Sequence, residues 1–257
     1  MKRERPFSLL ACAAILWVSC LSGMPASGGQ AQGGTEAAKR GAEILSGAAT
    51  AAGGEKVMKL ESLEFKSAGD VNTQVGPTAV EVKVFVAYPN KVRTENSLAM
   101  NTILSGFDGK SAWISSAQGT FELPADLNAE SVRSIDLIGG FGIYKKQQAG
   151  KVEAMFAGEK EVQGQKTWLV EWNSPTGKVR LYFDASTKML VAAKYRATTM
   201  QGVLEEERRW SDFREVEGVM FPYRWVTYRD GSLFSDQTVT EVKLNTTVEA
   251  GAFAKPQ

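Results

Sequence analysis

From residue 57 to the C-terminal region, short stretches of alternating apolar and polar residues are cut at near-even intervals by tight-turn residues. Few folds tolerate such punctuation. Val80, Val82, Val84 and Val86 alternate with Glu81, Lys83 and Phe85, the period of a half-buried strand. Further strands are predicted over 91–96, 102–107, 111–115 and 121–123, with Pro89-Asn90 and Asp108-Gly109 as turns. A second series is predicted over 152–156, 160–162, 167–172, 179–184, 189–197, 204–213, 221–229 and 235–244. Its breaks are Gly158, Gly164, Pro175-Thr176-Gly177, Glu217-Gly218 and Asp230-Gly231. No βαβ alternation appears, so the expectation is a meandering antiparallel sheet in a mainly β, α+β domain.

Two segments break this period. Residues 28–34 are small and polar and read as a flexible leader; a helix is predicted over 35–52, capped by Thr35 and stopped by Gly53-Gly54. Residues 126–148 read as a helix starting near Asn128-Ala129-Glu130-Ser131, with Val132, Ile135, Leu137 and Ile138 as its apolar side. Gly139-Gly140-Phe141-Gly142 breaks it. Such an insertion between strands is either a lid or a plain connection.

The N-terminus has a different character. Lys2, Arg3 and Arg5 precede an uncharged apolar run over 7–21, followed by Gly23-Met24-Pro25-Ala26-Ser27-Gly28. This is the order of an export signal, and the run is short of the ~20 residues that span a bilayer. Cleavage is expected after Ala26-Ser27-Gly28 or Gly29-Gln30-Ala31. Lipid attachment at Cys20 is the weaker alternative, because Trp17 stands where such motifs usually have Leu. The expected division is an export signal over 1–29, a leader and helical segment over 30–54, and one β domain over 55–257, a monomer in the periplasm.

Composition narrows the chemistry. The chain has no histidine, and its only cysteines, Cys12 and Cys20, fall in the predicted signal. Thiol, imidazole and zinc chemistry are thereby excluded from the remainder. No cofactor and no metal are expected. The formal charge is +1; Lys2, Arg3, Glu4 and Arg5 account for +2, so the rest carries −1. Such a balance offers no footprint for nucleic acid and no general attraction to anionic lipid.

Motifs that suggest catalysis have simpler explanations. Gly139-Gly140-Phe141-Gly142 neither follows a strand nor places a lysine as a phosphate loop requires. Thr176-Gly177-Lys178 lacks the companion motifs of a penicillin-binding site. Asp108-Gly109 and Asp230-Gly231 are turns by composition rather than catalytic carboxylates. The charge run Glu205-Glu206-Glu207-Arg208-Arg209 lies in a predicted strand and reads as a solvated face or a protected edge.

The aromatic positions are more informative. Trp168, Val170 and Trp172 share one strand face; Val179, Leu181 and Phe183 share another; Phe221, Tyr223 and Trp225 share a third. A single curved sheet has little to pack such faces against. Either helices plug the concave side or an apolar hollow remains.

Several of these hairpins in order resemble one family. Tyr88-Pro89-Asn90-Lys91-Val92-Arg93, Phe107-Asp108-Gly109-Lys110-Ser111-Ala112-Trp113, the stretch Leu181-Tyr182-Phe183-Asp184 through Leu190, and Asp212-Phe213 through Phe221-Pro222 are similar to the outer-membrane lipoprotein-sorting, LolA-like proteins. The likeness runs over residues 57–257. It implies a curved antiparallel half-barrel covered by a few helices, with an apolar cavity for lipid or lipoprotein acyl chains and contacts with envelope proteins. On that reading Val82, Val84, Trp113, Trp168, Val170, Trp172, Leu181 and Phe183 line the cavity. Val132, Ile135, Ile138 and Phe141 form its lid.

A carrier must repay the exposure of a lipid chain at ~0.8 kcal/mol per CH₂, on the order of 10 kcal/mol for a chain of about 16 carbons. Two alternatives stay open at this level: an envelope interaction or scaffold module with a plugged core, and a carboxylate-based hydrolase. The alternation offers the hydrolase no clear pair of inward carboxylates.

Overall fold

The computed structural model describes residues 29–257 except 100, 250 and 257; the predicted export signal up to residue 28, including Cys20, lies outside these. Among the described residues, thirteen antiparallel strands form one open sheet. The first wing comprises β1 (Ser62–Thr73), β2 (Gly76–Ala87), β3 (Lys91–Leu98), β4 (Asn101–Phe107), β5 (Ala112–Ser116) and β6 (Gly119–Glu122). The second comprises β7 (Ala154–Val162), β8 (Gln165–Ser174), β9 (Gly177–Asp184), β10 (Leu190–Thr199), β11 (Gly202–Val216), β12 (Val219–Arg229) and β13 (Ser232–Leu244). Each wing is a meander. They join where β1 pairs with β13, so β6 and β7 are the free edges. The sheet curves into a half-barrel.

Turn chemistry explains the register. Asp108 Oδ1 accepts the backbone N–H groups of Lys110 and Ser111, closing the β4–β5 turn. Asp184 Oδ1 accepts those of Ser186 and Thr187 together with both hydroxyls, closing the β9–β10 turn. The stretches predicted separately over 152–156 and 160–162 are one strand, β7, whose pairing with β8 shifts between Phe156 and Glu159, so Gly158 marks a bulge rather than a turn. β1 follows a short helix, α2 (Glu55–Met58), where no strand is predicted.

Helices cover the concave side: α1 (Gly29–Ala51), α3 (Asp126–Leu137) and α4 (Phe141–Gln148). α1 begins before the predicted cap Thr35, so residues 29–34 are helical rather than a loose leader. Gln30, Ala31, Gln32, Glu36 and Ala37 are good helix formers, and a helix nucleated by packing farther along extends through them. Gly41 does not weaken α1 for nothing. A Cβ there would stand 2.5 Å from the Ala154 carbonyl oxygen, so glycine lets α1 lie directly on the edge strand β7. Between α3 and α4, Gly139 and Gly140 have φ 57° and 74°, the left-handed region, where a side chain would also meet the Phe141 and Tyr144 rings.

Candidate functional site

The concave face is where the sheet gathers its apolar side chains. Register places Phe65, Val84 and Val86 from the first wing on it. Val170, Trp172, Val179, Leu181 and Phe183 come from β8 and β9. Tyr195, Trp210 and Phe221 extend the same surface. Phe221 sits among Phe65, Tyr223 and Trp225, with ring centroids 5.4, 6.3 and 6.0 Å away.

This surface is filled. Ile135, Leu137 and Ile138 of the α3 end, with Phe141, Ile143 and Tyr144 of α4, join it in one continuous core. Phe141 is fully buried, its ring centroid 6.2 Å from that of Phe221. Of the residues expected to line a cavity, Val84, Val170, Trp172, Leu181 and Phe183 are buried in this core, and Val82 and Trp168 pack against its margin. Arg40 of α1 covers the Trp168 ring at 5.3 Å.

Trp113 requires correction. Its register partner Gly106 aligns with Arg93 and Phe85, the face opposite Val84. Trp113 lies buried on the convex side, its Nε1 donating to the Phe253 carbonyl at 2.9 Å. Gly106 beneath it leaves room for the indole, and the C-terminal segment covers it. Of the residues assigned to a lid, Ile135, Ile138 and Phe141 face the sheet, whereas Val132 is only half-buried and outside the core.

Polar contacts also hold the α3–α4 insert. Lys146 pairs with Asp136, and Lys145 Nζ donates to the Met58 carbonyl at 2.6 Å. Burial raises the Asp136 carboxyl to about 6, opposed by Lys146. Its Oδ1 has no hydrogen-bond partner among the described residues, and a Cβ on Gly142 would stand 2.5 Å from it. A cleft of about 540 Å³ lies between α1, α2 and α4, lined by Leu45, Ala49, Met58 and Tyr144 among others.

At the other end of α3 lies a charged cluster that includes part of the run expected to form a solvated face or a protected edge. Glu206 is buried, not solvated. It accepts hydrogen bonds from the Tyr195 hydroxyl at 2.7 Å, Arg208 Nε at 2.9 Å and Arg229 Nε at 3.2 Å. Burial alone would raise its carboxyl, but Arg208, the Tyr195 hydroxyl and Arg229 outweigh this and hold it at about 2. Arg133 of α3 pairs with Glu130 and stacks 4.1 Å over the Tyr195 ring, while Glu130 accepts the Thr198 backbone N–H. A cavity of about 240 Å³ opens among these groups. Period-two counting could have found the cluster: Glu206 and Arg208 fall on the same face as Leu204 and Trp210.

Among the described residues no three His, Cys, Asp or Glu side chains come together as a metal site, and no helix is long and apolar enough to cross a membrane.

An open, strongly curved antiparallel sheet with helices on its concave face defines the LolA-like fold. Solved structures agree. A DUF1329 family protein from Desulfovibrio piger matches with TM-score 0.57 at 12% identity, over 84% of this chain and 97% of its own. A domain described as an outer membrane lipoprotein-sorting protein, from Vibrio parahaemolyticus, matches with TM-score 0.55 at 8% identity, over 84% and 97%. A LolA superfamily protein from Nitrosomonas europaea matches with TM-score 0.51 at 14% identity, over 81% and 94%. No family model and no curated protein matches the sequence.

Proposed function

We propose that this chain is an exported, non-enzymatic carrier or binding protein for a lipid or other acyl-bearing ligand, and that the insert seated on the sheet is its closed state. The observation that carries the reading is the composition of the insert seated on the concave face. Phe141, Ile143, Ile135 and Ile138 occupy the sheet as a hydrocarbon ligand would. A two-glycine joint divides the insert, and a few polar contacts hold its ends. Exchanging the insert for an acyl chain would keep the sheet face dry throughout. Val82, Val84, Trp168, Val170, Trp172, Leu181 and Phe183 would line the bound chain, and the cleft beside Met58 and Tyr144 would be its point of entry. The lipoprotein-sorting domain and the LolA superfamily protein sharing the fold favour this class.

On this reading residues 1–29 direct export to the periplasm and are removed, or Cys20 is lipidated. Envelope proteins are the partners from which cargo arrives or to which it passes. The rival reading is a permanently plugged interaction module, favoured by the complete burial of Phe141 and Ile143. Native mass spectrometry of protein prepared from a bacterial periplasm separates them. The carrier retains acyl-containing mass adducts that delipidation removes; the plugged module carries none and takes up none when fatty acid is added.

A further inference from the structure

The two ends of the sheet differ in a way that acyl binding does not explain. Antiparallel order puts the β1–β2, β12–β13 and β10–β11 turns side by side at one end. They are stitched together: Asn72 Nδ2 donates to the Leu233 carbonyl, and Glu205 N–H donates to Asp230 Oδ1. Beyond Ser67, Val80 and Gln237 these hairpins leave the core, and no residue over 68–79 or 230–236 is buried. The six residue steps from Ser67 to Thr73 extend by roughly 20 Å. The result is a blade of sheet standing in solvent on both faces.

Its tips are apolar and nearly uncharged. Six large hydrophobic side chains are strongly exposed among the described residues, and four of them are here: Val75 (92%), Met200 (65%), Val203 (56%) and Leu233 (43%). Residues 71–80 and 197–204 carry no charge, and 230–235 only Asp230, in a chain that is 23% charged. The opposite end has charges at its turns: Lys91, Asp108, Lys110, Asp184, Lys188, Glu215 and Glu217.

We infer that the apolar tips of these three hairpins dock the protein onto a lipid bilayer surface. A protein partner is the poorer occupant. Four side chains, separated by Thr73, Gln74, Gln201, Gly202, Asp230 and Gly231, fall far short of the ~20–30 residues a side in a standard interface. Insertion into the interfacial layer of a bilayer needs no complementary surface, only apolar side chains at the tips; Asp230, the one charge among them, is tied back to the Glu205 backbone N–H. Adjacent hairpins stand about 10 Å apart, and the β10–β11 tip projects about three residues, roughly 10 Å, beyond the β12–β13 turn, so the three tips meet a fluid plane tilted to the strands. With almost no charge at the tips, docking depends on apolar burial and not on anionic lipid.

The test is flotation of the full-length exported protein with extruded vesicles of neutral phosphatidylcholine. The protein should rise with the vesicles, equally well in about 0.5 M salt, where electrostatic adsorption is screened. Val75→Ser with Met200→Ser, Val203→Ser and Leu233→Ser should lower the bound fraction at least about tenfold, each exposed substitution leaving the fold intact by circular dichroism. Wild-type protein that stays with the soluble fraction, binding lost in high salt, or a quadruple variant that floats like the wild type would each overturn the inference. So would a concentration-dependent dimer abolished in the variant without vesicle binding, which would assign the tips to self-association. Uptake of a fluorescent fatty acid from vesicle-free solution reads the carrier proposal separately. Uptake without flotation defeats docking alone, and flotation without uptake defeats the carrier alone.

Discussion

Phe141→Ala separates a displaceable insert from a permanent plug. The ring is fully buried, 6.2 Å from Phe221, so its removal costs the seated insert about 3–5 kcal/mol. If the insert leaves the sheet when ligand binds, the displaced state does not bury Phe141 and escapes this loss. The equilibrium between seated and displaced forms then shifts by the same amount, roughly a hundredfold to a few thousandfold at 1.4 kcal/mol per decade. Apparent affinity varies with the fraction already competent to bind and rises in proportion, until the displaced form predominates. Stability against urea falls meanwhile by about 3–5 kcal/mol. The variant should therefore be less stable and bind a fluorescent fatty acid more tightly, two effects a permanent plug does not couple. Titration is done on delipidated protein below its melting transition; Phe141→Leu, a milder loss, should show a smaller rise and guards against unfolding. A folded variant with unchanged or weaker affinity refutes the reasoning.

Other outcomes follow from the charged groups and the sheet face. Burial lifts Asp136 to about 6 from an ordinary 3.8, so ionising it subtracts stability as pH rises from about 4 to 6, with the full penalty above that. Asp136→Asn should gain about 2–3 kcal/mol in urea unfolding at pH 7.5 and nothing near pH 4; an equal gain at both values would contradict the assignment. Glu206, held at about 2, acts in the opposite sense, stabilising above its unfolded value and losing that contribution as pH falls from about 4.5 to 2. Glu206→Gln should cost about 3–5 kcal/mol at neutral pH, because Arg208 and Arg229 lose their counter-charge; a thermal midpoint within 2 °C of wild type, well inside the shift of roughly 2–4 °C per kcal/mol, would show the cluster to be dispensable. Val84→Thr and Val170→Thr place a hydroxyl on the concave face and should weaken fatty-acid binding severalfold while the protein stays folded, as near-ultraviolet circular dichroism would report.

What could be read in advance follows from where the information sits. Val80 to Val86 announce β2 because one face of that strand is buried, and Asp108-Gly109 announces a turn because its conformation is chemically local. β1 escapes notice: Ser67, Gly69 and Asp70 blur its alternation, and pairing with β2 and β13 on both sides supplies what propensity does not. Trp113 has the composition of a cavity residue, but its facing is decided by register with Gly106, which depends on the strands around it. Glu206 reads as solvated because carboxylates usually are; three partners from β10, β11 and β12 make its burial tolerable, and none is evident until those strands are side by side. The insert was legible as helix, break and apolar run, whereas its seating against Phe221 is a tertiary fact.

The central claim is that an acyl chain and the α3–α4 insert compete for the same sheet face. Hydrogen–deuterium exchange of delipidated protein, with and without saturating fatty acid, addresses it directly at residues 126–148. The account predicts that amides of α3 and α4 lose protection when ligand binds while β8 to β10 keep theirs. Saturable binding that leaves the insert fully protected, or no binding at all, would contradict it.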